Sequence, residues 1–128
     1  QELLLEESLK TLEIRPKINY TLDGLLEISA GDVSFVDQLV ETLIENLPVY
    51  TGKLEEALVT EDIETIRYVC HQLKPSLDLL KVTQAAEIVK AIEVELKDKK
   101  ELINLRRNVQ DLLHILNTLV EELIRNQR

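Results

Sequence analysis

The sequence has one cysteine, no tryptophan, no methionine, three glycines and three prolines in 128 residues. A single cysteine excludes an internal disulfide and fits a reducing compartment. So few glycines and prolines leave few places for the chain to turn. Aromatic residues make up 3% of the chain and hydrophobic residues 45%, so the core must be built from aliphatic side chains. Long aliphatics mixed with Glu and Lys favour helix packed on helix over a sheet. No apolar run approaches the ~20 residues that span a bilayer, and no direct membrane contact is expected. The opening Gln-Glu-Leu-Leu-Leu-Glu-Glu lacks the basic start and apolar stretch of a signal peptide. The first residue is Gln rather than Met, which points to a piece of a longer polypeptide.

Basic charge is also scarce. The net charge of −9 argues against nucleic acid as a partner, because phosphate binding needs a basic face. Catalytic sets are as thin. Cys70 and His71 are neighbours, and adjacent residues of a helix point in different directions, so they cannot form a nucleophile–base pair. Metal sites in helical bundles use repeated Glu-x-x-His elements on facing helices. The chain offers one loose analogue, Asp111-Leu-Leu-His114, so no metal is expected and His114 reads as a partly exposed structural residue. No Gly-rich loop is present to cradle a nucleotide. Neither a cofactor nor a kinase activity of its own is therefore expected.

What is present is helical rhythm. Residues 2–13 are expected to form a short helix with Leu5, Leu9 and Leu12 on one side, stopped at Pro16. Arg15 to Tyr20 reads as a linker. Thr21 caps a short helix that Gly31 ends, and Asp32 caps the next. That third segment carries Phe35, Val36, Leu39, Val40, Leu43, Ile44 and Leu47, then Leu54, Ala57 and Leu58. Its rhythm resumes in phase after Pro48, so one long bent helix is expected to about residue 59. Thr60 and Asp62 are then expected to cap the helix over 62–81. Further helices follow over 84–97 and 102–126, separated by the charged run 97–101. The last has Leu102, Leu105, Val109, Leu112, Leu116, Leu119 and Leu123 in an unbroken three-four repeat, a stripe that serves either the bundle's own core or a dimer. Short links make consecutive helices antiparallel neighbours. The fold expected is all-α, an antiparallel up-and-down four-helix bundle over 21–128, with short extra N-terminal helices and a leading helix and linker over 1–20.

The helix over 62–81 organises the chain. Ile63, Ile66, Cys70, Leu73, Leu77 and Leu80 draw one apolar stripe along it. His71 projects roughly 130° from the centre of that stripe, in a polar row with Arg67, Lys74 and Asp78. An outward histidine taken alone is simply a surface residue. An uncrowded imidazole is also a nucleophile toward phosphorus, able to hold a phosphoryl group as a labile phosphoramidate. Lys74, one turn on, is placed to meet phosphoryl oxygens.

The phrase His71-Gln72-Leu73-Lys74-Pro75-Ser76-Leu77 resembles the signature of histidine-containing phosphotransfer (HPt) domains, the intermediate carriers of multistep phosphorelays. The resemblance spans about residues 22–97 and includes Gly31-Asp32, Phe35, Pro48 and Asp62. It implies that His71 is the phosphoacceptor through Nε2, that Lys74 contacts the phosphoryl oxygens, and that Glu93 orients the imidazole. It further implies receiver domains as partners, docking around Arg67, Pro75, Ser76, Asp78 and Lys81, with the Mg²⁺ such transfers need held by the receiver. Two positions depart from the family pattern. Pro75 and Lys81 stand where glycines are usual, and neither removes a chemically needed group. The implied protein is a cytoplasmic, monomeric phosphocarrier, the C-terminal domain of a hybrid sensor histidine kinase. The alternative is a non-catalytic helical adaptor or dimerisation module with the same fold, favoured by the regular last helix and by Pro75.

Overall fold

The computed structural model describes residues 18–98 and 103–127. The helix expected over 2–13 and its stop at Pro16 lie outside the described residues. Five helices are described: α1 (Asp23–Ile28), α2 (Val33–Thr60), α3 (Ile63–Leu79), α4 (Thr83–Asp98) and α5 (Leu105–Arg125). Helices α2 to α5 pack in a ring, α2 on α3, α3 on α4, α4 on α5 and α5 back on α2, while α1 leans on α2. This is the four-helix bundle that the apolar spacing predicts.

Each principal helix buries one stripe. Leu54 from α2, Leu73 and Leu77 from α3, Ile92 from α4 and Leu112, Leu116 and Leu119 from α5 are all fully buried. The three-four repeat of α5 is spent inside the bundle, since Leu105, Val109 and Leu123 are buried with them. Val69, absent from the expected stripe of α3, is fully buried, whereas Ile63 is only partly so. The buried strip on α3 is therefore wider than a single three-four row, because the helix is contacted from both α2 and α4.

The turns are set by backbone chemistry. Asp32 accepts a hydrogen bond from the Phe35 N–H at 3.2 Å and starts α2. Asp62 accepts from the Thr65 N–H at 3.2 Å and from the Thr65 hydroxyl at 2.6 Å. These bonds favour the carboxylate and hold Asp62 below its ordinary range. Thr60 does not share this task. It is the last residue of α2, its hydroxyl donating to the Glu56 carbonyl at 3.0 Å, because the helix runs one residue further than the sequence suggests. Glu61 closes α2 in the left-handed region, with φ of 56°. Lys81 closes α3 in the same way at φ of 54°, the Val82 N–H reaching the Leu77 carbonyl at 3.0 Å. Thr21, expected to cap α1, stands one residue too early: Leu22 occupies the cap position and no side chain caps the helix, while the Thr21 hydroxyl accepts from the Asp23 N–H at 3.1 Å as a turn just ahead of it.

Neither internal proline ends its helix. α2 continues through Pro48, and the buried Thr51 hydroxyl donates to the Pro48 carbonyl at 2.9 Å. α3 continues through Pro75. Ahead of α1, Ile18 is buried, the Thr21 N–H donates to the Leu80 carbonyl at 2.8 Å, and Tyr20 Oη accepts from Asn126 Nδ2 at 2.6 Å. These bonds pin the entering chain to the ends of α3 and α5. Gly24 brings α1 directly against the end of α3: a Cβ there would lie 2.7 Å from the Leu79 carbonyl oxygen.

Candidate functional site

The site is built on α3, whose inner row of Ile66, Val69, Cys70, Leu73 and Leu77 is buried. Burial of that row fixes the helix rotation, and the rotation puts His71 in solvent. Among the described residues the His71 ring makes no hydrogen bond. Gln72, Lys74, Pro75 and Asp78 are exposed beside it, and Ser76 is half-buried. Lys81 is exposed at the left-handed end of the helix. Six of the seven positions expected around the histidine, Arg67 one turn upstream among them, therefore lie on or just past α3, and only Glu93 comes from another helix. Arg67 is bonded to Glu64, a turn before it on α3.

Glu93 comes from α4, packed against α3. Its carboxylate Oε1 lies 2.6 Å from Lys74 Nζ, and the two side chains are 29% and 45% exposed. The expected neighbour of the imidazole is thus found as the counter-ion of the expected phosphoryl contact. The pair also brackets Cys70. Burial pushes the Cys70 thiol up to about 12; the Glu93 charge adds to the rise and the Lys74 charge opposes it. Cys70 is a core residue that stays protonated, as its place on the stripe implies.

Lys97 is a residue that sequence reasoning missed. Lys97 is the last residue of the helix expected over 84–97 and the first of a charged run that reads as a loop, and α4 continues one residue past it to Asp98. Lys97 therefore sits one turn beyond Glu93, and the two join Arg67 and Leu96 in lining an open groove of about 410 Å³ between α3 and α4. The four-residue spacing from Glu93 was the available signal.

Among the described residues, no group of three or more His, Cys, Asp or Glu side chains is gathered to hold a metal ion. His114 is exposed on α5, where its carbonyl accepts the Thr118 hydroxyl at 2.9 Å. None of the described helices is long and apolar enough to cross a membrane.

The family described as Hpt domain matches residues 38–126. Among solved structures, the chain is similar to the HPt domain from the Hpt sensor hybrid histidine kinase from Shewanella, with a TM-score of 0.70 and 20% identity, covering 84% of this chain and 92% of that one. At that identity the likeness speaks for the fold. No curated protein matches the chain.

Proposed function

Since this chain belongs to the Hpt domain family, whose members carry out histidine phosphotransfer in phosphorelays and interact with receiver domains, we propose that His71 is the residue that takes and returns the phosphoryl group. The observation that carries this reading is an exposed histidine followed one turn later by Lys74 on an unbroken helix, with Glu93 of α4 paired to that lysine.

The reaction runs as an exchange at phosphorus. The lone pair on His71 Nε2 attacks the phosphorus of a receiver's aspartyl phosphate. The N–P bond forms, the P–O bond to the aspartate breaks, and the receiver's carboxylate leaves with the electron pair. A second receiver's carboxylate reverses the step and carries the phosphoryl group away. Such transfers leave the protein to position groups and neutralise charge. Lys74 meets the phosphoryl oxygens, and the Glu93 carboxylate, paired with Lys74 in the unloaded domain, accepts a hydrogen bond from the ring's Nδ1–H as the phosphoryl group draws Lys74 away, fixing the tautomer.

Arg67, Pro75, Ser76, Asp78 and Lys81 border the docking surface. A receiver bound there is held weakly and reversibly, as a carrier requires. The same reading makes the domain a monomeric, cytoplasmic piece at the C-terminus of a hybrid sensor kinase. The adaptor alternative loses its main support, since the stripe of α5 is buried within the bundle. Phosphoryl transfer from a charged receiver to this chain and to His71→Gln tests the assignment. Labelling of the parent alone is expected, and equal labelling of the variant would sink it.

A further inference from the structure

Resting on the assignment of His71 and Lys74 above, the geometry points to a second task for Glu93: it competes with the phosphoryl group for Lys74 and so sets how readily the loaded histidine gives its phosphate up. In the unloaded domain the Lys74 ammonium is already taken. Its Nζ lies 2.6 Å from Glu93 Oε1, in a pair only partly open to water. The lysine stands one turn from His71, on the side where phosphoryl oxygens arrive.

Loading brings two negative charges to this spot. The ammonium can reach the phosphoryl oxygens only by leaving, or sharing itself with, the Glu93 carboxylate. That carboxylate stays close by, since it is anchored on α4 and half-buried. A phosphoryl dianion and a carboxylate then share one cation, an arrangement of like charges that costs free energy only in the loaded state. The neutral amide of a glutamine at position 93 would hold Lys74 weakly and repel nothing. Glu93 thus raises the transfer potential of the phosphohistidine, biasing the domain toward passing phosphate on. The bond changes are those of the transfer itself, in which N–P breaks as the receiver's carboxylate oxygen bonds to phosphorus.

The test is the equilibrium distribution of radiolabelled phosphate between this chain and a receiver domain charged with acetyl phosphate. It is measured for the parent, Glu93→Gln, Lys74→Gln and the double variant, each checked for helicity. Glu93→Gln is expected to shift the distribution toward the histidine by roughly two- to fivefold, the range a part-exposed ion pair can supply. In the Lys74→Gln background the same substitution is expected to shift it much less. A parent labelled at His71 with Glu93→Gln unchanged, or shifted toward the receiver, overturns this role and leaves the histidine assignment standing. An equal shift with and without Lys74 overturns the competition. A parent that takes no label overturns the assignment on which the inference rests.

Discussion

At the scale of single residues, the site depends on what a phosphoryl group needs, a nucleophile in solvent and a cation within reach. His71 is exposed because Cys70 and Leu73 beside it are fully buried. In the proposed transfer Lys74 supplies the cation, and its loss would remove a hydrogen bond to a charged group. Lys74→Gln is expected to slow transfer from a phosphorylated receiver about ten- to hundredfold, the value of one such bond, while His71 still becomes labelled. A rapid-quench time course measures this; an unchanged rate would remove Lys74 from the site. His71 and Lys74 were legible in the sequence, since their rotation relative to an apolar stripe needs only helical periodicity. The Lys74–Glu93 bond was not. It depends on how two helices are turned against each other, and Glu93 could be placed only as flanking the inner face of its own. Lys97 was not singled out because it heads a run of charges that reads as solvated surface, whereas it lies one turn after Glu93 on α4.

At the scale of elements, the sequence placed the helices to within a few residues. Expected spans of 33–59, 62–81, 84–97 and 102–126 compare with Val33–Thr60, Ile63–Leu79, Thr83–Asp98 and Leu105–Arg125. The reading of one helix continuing past Pro48 succeeded because the apolar rhythm stays in phase across it. What pattern could not give was the backbone of the turns. Glu61 and Lys81 occupy the left-handed region although neither is glycine, and nothing in their side chains announces it. A non-glycine residue there carries a steric penalty of about 1 kcal/mol or more. Lys81→Gly is therefore expected to stabilise the domain by up to about 1 kcal/mol and raise its melting temperature by a few degrees. Thermal unfolding followed by circular dichroism checks this, and a lower melting temperature would contradict the strain attributed to Lys81. Thr60 was misplaced by one residue for a related reason: its hydroxyl prefers the carbonyl a turn behind it to the amides ahead.

At the scale of the whole molecule, the bundle is a rigid stand for one exposed helix face. Its core is aliphatic apart from Cys70 and the buried Thr51, with α5 giving its entire described stripe to the centre. Leu116 is fully buried there, and Leu116→Ala is expected to cost about 2–5 kcal/mol. Chemical denaturation would measure that loss; a cost below 1 kcal/mol on the same scale would mean the stripe is not packed as described. Because that stripe is used up internally, α5 is left without a seam for a second copy, and the domain is expected to elute as a monomer.

The central claim is that one histidine of the two carries the phosphoryl group. It is tested most directly by mapping the phosphate on this chain after transfer from a charged receiver domain, with peptides kept at alkaline pH to preserve phosphoramidates. The phosphate is expected on the peptide containing His71, stable to alkali, lost in acid, and absent from His71→Gln. Phosphate on the peptide containing His114, or retained by the variant, would contradict the account.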